Sequence, residues 1–213
     1  MIATYILMAI IAYAIGSVNF SVILSKRIAG FDVREKGSGN AGTTNMLRSV
    51  GKGAAALTLV LDILKGLVAI LVAKYVFFPI ASNNNPEISA AILVQLAGFF
   101  VVLGHTFPMF FGFKGGKGVA TSLGVLLLTN PLIGGICLVY ALAVMALTKM
   151  VSLGSIMAAV LFPILTVFIS TNYLTDGNYI IFGIAMAMLV IFNHRTNLSR
   201  IYNGTENRVS FKK

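Results

Sequence analysis

Several short stretches of this chain carry groups suited to binding anions. Lys114-Gly115-Gly116-Lys117-Gly118-Val119-Ala120-Thr121 places two ammonium groups among glycines and closes on a hydroxyl. Glycines let a backbone turn tightly and present successive N–H groups as a nest for an anion. A helix starting near Val119 adds its positive end, Lys117 adds a point charge, and Thr121 lies one turn along as a further donor. The spacing is not that of the nucleotide-binding G-x-x-x-x-G-K-[ST] loop, and no strand precedes it. The competing reading of the same residues is a flexible basic connector.

A second stretch, Ser38-Gly39-Asn40-Ala41-Gly42-Thr43-Thr44-Asn45-Met46-Leu47-Arg48, is a run of small and polar residues ending on arginine. A planar guanidinium grips phosphate oxygens in pairs, with Ser38, Thr43, Thr44 and Asn45 as additional donors. The alternative is a polar turn capping the following apolar segment. His194, Asn197 and Arg200 recur at helical spacing near the end of the chain and form a third donor group. Ser152, close to Lys149, offers another hydroxyl.

Asp62 and Lys65 stand three apart on one helical face inside an apolar segment. Charges at such depth are functional candidates by default, and an internal ion pair that positions the cationic loops is the preferred role. Asp62 as a catalytic base is the weaker choice, because a cationic partner favours its charged form. His105, ahead of Pro108, is an interfacial histidine, a phosphate ligand or a proton acceptor. No carboxylate joins the histidines at ligand spacing, so neither a metal nor another cofactor is expected. Ser17 and Asn19 either tie helices together or line an approach to the site.

The elements that hold these residues must be membrane helices. Of 213 residues 58% are hydrophobic and only 10% charged, and the mean hydropathy is +0.93. That is too few charges to clothe a soluble globule. Seven transmembrane segments are expected, at 3–24, 54–78, 89–107, 119–130, 131–148, 153–171 and 179–193. They form one all-α integral membrane bundle, with 1–213 as a single domain. Segment 119–130 strains the scheme, since a dozen residues make a helix of only ~18 Å.

The net charge of +10 looks like a nucleic-acid footprint, but its distribution says otherwise. Lysines and arginines crowd 26–52, 114–117, 149 and the region after 195, whereas 79–88 and 172–178 hold none. This alternation is the bias of cytoplasmic loops. With seven crossings it places the N-terminus outside and the C-terminus in the cytoplasm, and it excludes nucleic acid as a partner. The lone Cys137 can form no intrachain disulfide.

Six segments together resemble the bacterial acyl-phosphate:glycerol-3-phosphate acyltransferases of phospholipid synthesis. They are Gly16-Ser17, Gly37 through Arg48, Asp62-Ile63-Leu64-Lys65-Gly66, Gly104-His105-Thr106-Phe107-Pro108, Lys114 through Thr121, and His194-Arg195 with Asn197, Arg200, Gly204 and Glu206. The resemblance spans nearly the whole chain, with mild departures at Thr43 and Asn19. It implies an enzyme of the bacterial inner membrane, with its site on the cytoplasmic side. An acyl group would pass from acyl phosphate to the 1-hydroxyl of glycerol 3-phosphate, giving lysophosphatidic acid and phosphate.

It further implies that Ser38, Arg48, Lys114, Ser152, His194 and Asn197 hold the phosphate-bearing substrates, and that the Gly115–Thr121 loop binds phosphate. A monomer in contact with membrane lipid is expected. The rival class is a transporter or flippase for a phosphorylated solute, since broken helices also build transport sites. The gathering of polar groups on one side argues against it.

Overall fold

The computed structural model describes residues 2–169 and 178–209, and every regular element among them is helical. The chain divides into two compact units, 1–129 and 130–213.

In the first unit, α1 (Ile2–Gly16) packs along α6 (Ala90–Thr106). Reciprocal glycines bring the two backbones together. A Cβ on Gly16 would strike the carbonyl of Val101, and one on Gly104 would strike the carbonyl of Tyr13. Such small-residue contacts are how helices associate in lipid, where apolar burial supplies no drive. The same device joins α4 (Lys52–Leu71) to α7 (Val119–Thr129), through Gly66 against Thr121 and Gly124 against Ile63.

Helix α2 (Phe20–Ala29) starts where the Asn19 side chain accepts from the Val22 N–H, and it stops at Gly30, whose φ of 75° is left-handed. Between α2 and α4 lie a 3-10 turn at Val33–Glu35 and the short α3 (Thr43–Ser49). Val33 of the turn, Met46 of α3 and Ala41 between them pack with Val22 and Ala55 in a small core that anchors this polar stretch. Helix α4 widens into a π turn over Val72–Phe77 before α5 (Phe78–Asn84). Pro79, which has no N–H to give to the preceding turn, accounts for the widening.

In the second unit, α8 (Pro131–Thr148) is capped by Asn130, whose side chain accepts from the Ile133 N–H at 3.1 Å. Helix α9 (Val151–Phe168) follows a reversal at Lys149, φ 61°. It packs on α8 and on α10 (Asn178–Asn193). Phe162, Tyr179 and Phe182 bind α9 to α10 with ring centroids 5.6–6.1 Å apart. Gly154 lies against the Ala141 carbonyl, but a Cβ on Gly135 would meet nothing, so only the first of these glycines serves close packing. Helix α11 (Arg195–Tyr202) departs from α10 at a 62° bend.

These helices correct the expected count of seven spans. Among the described residues, five segments are long and apolar enough to cross a membrane: Ile2–Ala29, Lys52–Asn84, Ala90–Phe111, Pro131–Thr148 and Val151–Phe168. The bent pair Tyr179–Asn193 and Arg195–Tyr202 makes a sixth at most. The failing segment is Val119–Thr129, with 11 residues. At 1.5 Å per residue it reaches ~16 Å against a hydrocarbon core of ~30 Å. Asn130-Pro131 stops it, because a residue before proline is driven to extended backbone, and Asn130 has φ −153° and ψ 84°. Termini on opposite sides of the membrane followed from seven crossings, and that inference loses its basis. The expected outer connection at 172–178 lies, over 172–177, outside the described residues.

Candidate active site

Asn45 organises the stretch from Ser38 to Arg48. Its Oδ1 accepts from the Ser38 N–H at 2.9 Å, while its Nδ2 donates to the carbonyls of Val33, Lys36 and Asn40 at 2.8–3.0 Å. Gly37, at φ 58°, must lack a side chain because a Cβ would occupy the place of Asn45 Oδ1. The Asn45 amide is therefore engaged inside the loop, and this residue shapes the site rather than donating to a phosphate. Ser38 and Arg48 are exposed and Thr44 half-buried, while the Thr43 hydroxyl is buried without a partner.

Asn45→Asp keeps the acceptor but turns a carboxylate toward three carbonyls. It is expected to cost about 2–4 kcal/mol, the scale of losing buried hydrogen bonds and leaving their acceptors unmet. The midpoint of thermal unfolding in detergent measures it.

The glycine loop is held by the end of α6. The chain turns back after Pro108, so that the Gly115 N–H donates to the Thr106 carbonyl at 3.0 Å and the Gly116 N–H to the His105 carbonyl at 3.1 Å. This corrects the expectation that Gly115 and Gly116 offer their amides to an anion, since both are already donating. The amide donors left without a preceding turn are those opening α7, whose first helical bond runs from Ser122 to Gly118. Thr121 is fully buried with its hydroxyl unpartnered, while Lys114 is exposed and Lys117 half-buried. A Cβ at Gly116 would collide with His105 Nε2 and the Ala41 carbonyl, so the glycine loop, His105 and the Ser38–Arg48 stretch lie against one another.

Beneath them sits a buried polar group. Lys65 Nζ is 2.7 Å from Asp62 Oδ1, 2.8 Å from His105 Nδ1 and 3.0 Å from the Val18 carbonyl. An ammonium can only donate, so His105 Nδ1 accepts and the proton of its neutral ring resides on Nε2. The i, i+3 pair expected of Asp62 and Lys65 is formed, and it supports the histidine under Gly116. Ser17, wholly buried, accepts through Oγ from the Met109 N–H at 3.2 Å and so helps seat the turn after α6.

In the second unit the donors converge on a carboxylate. Glu206 Oε1 accepts from Ser152 Oγ at 2.9 Å and Asn197 Nδ2 at 2.8 Å, while Oε2 accepts from Arg200 Nε at 2.9 Å. Burial raises the Glu206 carboxyl, but the bonds from Asn197, Ser152 and Arg200 together outweigh it and hold the group below its usual value. The Ser152 hydroxyl thus donates to Glu206 and is not directed outward. His194 is buried and its Nδ1 lies 2.8 Å from the Val190 carbonyl. That carbonyl can only accept, so in the neutral ring the lone pair is on Nε2.

Sequence reasoning passed over Glu206 as a centre. The available signal was that it is the one acid after Asp176, among five cations.

A family profile described as glycerol-3-phosphate acyltransferase matches residues 6–204. The chain is 42% identical to the glycerol-3-phosphate acyltransferase of Clostridioides difficile (strain 630), over all of this chain and 98% of that protein. It is also 42% identical to that of Thermoanaerobacter pseudethanolicus, over 97% of this chain and 96% of the relative. Among solved structures it is similar to PlsY (YgiH), an integral membrane glycerol 3-phosphate acyltransferase, in two forms. The glycerol 3-phosphate form matches with a TM-score of 0.81 at 36% identity, covering 97% of this chain and 96% of that one. The lysophosphatidic acid form gives 0.78 at 34%, covering 97% and 95%. With its membrane-length helices, the chain is a multi-pass membrane enzyme and belongs to the glycerol-3-phosphate acyltransferase family.

Proposed function

We propose that this chain moves an acyl group from acyl phosphate to the 1-hydroxyl of glycerol 3-phosphate at the cytoplasmic side of a bacterial inner membrane. The observation that carries the reading is the first unit's site: exposed Arg48 on α3 and exposed Lys114 on the glycine loop, in two stretches knitted together around His105 and opening on the start of α7. Cations and amide donors gathered on loops beside apolar spans suit a substrate with a phosphate head and a lipid tail. The basic segments 26–52 and 114–117 carry the charge bias of cytoplasmic loops, which supports the sidedness.

Ser38, Arg48, Lys114, His194 and Asn197 are the residues assigned to the chemistry. Thr43, Thr44, Lys117, Gly118 and Thr121 are assigned to holding phosphate. Asn45, Gly115, Gly116 and Ser152 shape the loops that present them, and Asp62, Lys65 and His105 support those loops from below.

An acyl phosphate is a mixed anhydride and is already activated. The glycerol hydroxyl oxygen attacks the acyl carbonyl carbon, the bond from that carbon to the phosphate oxygen breaks, and phosphate departs. The hydroxyl proton passes to a phosphate oxygen of the substrates, so no serine nucleophile is required. Negative charge builds on the departing phosphate, and cations fixed there in advance lower the barrier more than they tighten ground-state binding.

Purified protein given palmitoyl phosphate and glycerol 3-phosphate is expected to release phosphate and lysophosphatidate in equal amounts. No product in any lipid or detergent would refute the reading. Arg48→Ala and Lys117→Ala are each expected to cut the rate roughly tenfold or more, the scale of a lost charge-assisted contact, with the protein still folded. Full activity in either variant would remove that residue from the site.

A further inference from the structure

Arg34 connects two loops that lie far apart in sequence, and nothing above gives it a role. Its Nε and Nη2 bond Asp32 at 3.0 and 2.7 Å. Its Nη1 donates to the carbonyls of Phe111 at 2.6 Å and Lys114 at 3.1 Å. Asp32 is buried and also accepts from the Arg34 N–H at 3.0 Å, which caps the 3-10 turn. Arg34 holds the Asp32 carboxyl at about 2, chiefly through the side-chain hydrogen bond, so the pair stays charged throughout the working range. Lys26, at 3.5 Å from Asp32 and well exposed, adds little.

The two carbonyls that Arg34 holds bracket an unfavourable piece of backbone. Gly112 and Phe113 both have left-handed dihedrals, φ 66° and 58°. Phe113 is not a glycine, and the residue is 60% exposed, so burial of its side chain does not compensate. Such a conformation persists only where the surroundings over-determine it. Here the constraints are the Phe113 N–H on the Pro108 carbonyl at 3.0 Å, the guanidinium on either side, and the Gly115 and Gly116 bonds just beyond. Lys114 emerges directly from this turn with its side chain exposed.

We propose that Arg34, oriented by Asp32, is a positioning residue for Lys114. By gripping the carbonyls on both sides of the strained turn, it fixes the backbone from which the Lys114 ammonium reaches the substrate phosphate. Arg34 itself touches no substrate. The proposal rests on the assignment of Lys114 to phosphate contact made above.

The test is Arg34→Lys in the full-length protein, which keeps the charge but lacks the fork needed to hold Asp32 and both carbonyls at once. Amide exchange over 109–116 is expected to rise about tenfold, with exchange in α1 and α6 unchanged. The KM for glycerol 3-phosphate is expected to rise about tenfold with kcat altered far less. In the Lys114→Ala background the same change is expected to have almost no further effect on KM. Asp32→Asn should move exchange and KM in the same direction.

Equal fold-changes in both backgrounds would show that Arg34 acts independently of Lys114 and would overturn the proposal. So would unchanged exchange in Arg34→Lys. The exchange arm needs no turnover, so a wild-type protein without acyl transfer would count against the proposed reaction while leaving the loop-fixing role to be decided.

Discussion

Lys65→Met is expected to collapse the yield of folded protein, and Asp62→Leu introduced alongside it to restore most of that yield. Lys65 is buried within hydrogen-bonding distance of Asp62, His105 and the Val18 carbonyl. Removing the ammonium alone leaves the Asp62 carboxylate buried without its cation and takes the donor from His105 Nδ1. Breaking a buried pair in this way costs about 3–5 kcal/mol, whereas replacing both members with apolar groups is often neutral.

The thermal midpoint and the monodisperse fraction of detergent-purified protein separate the cases. Lys65→Met as stable as wild type would mean the pair does not hold the first unit together. A double variant less stable than the single would mean that packing, not charge, is the dominant factor there. Activity in a stable double variant should still be reduced, because His105 beneath Gly116 has lost the partner that sets its tautomer.

The second large effect is expected at Glu206. Glu206→Ala removes the common acceptor of Ser152, Asn197 and Arg200. Ser152 and Asn197 are buried, so two buried donors lose the acceptor they share. At about 1–3 kcal/mol for each lost buried hydrogen bond the loss is about 2–6 kcal/mol. Acyl transfer should fall with it, since the α11 side chains lose their alignment.

Acid should act on wild-type protein through the same group. The folded Glu206 carboxyl is held below its ordinary value of 4.5. Its contribution is therefore complete above that value and disappears as pH falls through the lower folded one. Glu206→Gln, which keeps the shape, should lower stability at neutral pH and flatten its dependence below about pH 4.5. An unchanged acid profile would show that Glu206 is not the linked group.

Much of this arrangement was legible in the chain, for identifiable reasons. The apolar runs declare a membrane protein because hydropathy needs no partner to be read. Asp62 and Lys65 show their pairing because both lie on one helix, three residues apart. Other contacts were hidden because they join residues distant in sequence. Ser152 meets Glu206 across 54 positions, and Arg34 reaches the Lys114 carbonyl across 80.

The glycine loop misled in a different way. Gly115 and Gly116 have the composition of an anion nest, but their N–H groups bond the end of α6, and only the backbone path reveals that. The span count failed because Val119–Thr129 is as apolar as a crossing helix. Its length is set by Asn130-Pro131, which carries little weight in a hydropathy window.

The interlocking of α1 with α6 also constrains how the protein is made. Gly16 and Gly104 admit each other's backbones, and Tyr13 Oη donates to the Phe107 carbonyl at 2.6 Å across 94 residues. At a ribosomal pace of about 5–20 residues per second, α1 waits roughly 5–20 s in the bilayer before its mate emerges. During that interval its small-residue groove faces acyl chains, open to any nascent helix with a similar seam. Lengthening the translation delay between residues 16 and 104, for instance with rare codons, would therefore lower the yield of correctly assembled enzyme without altering a single side chain.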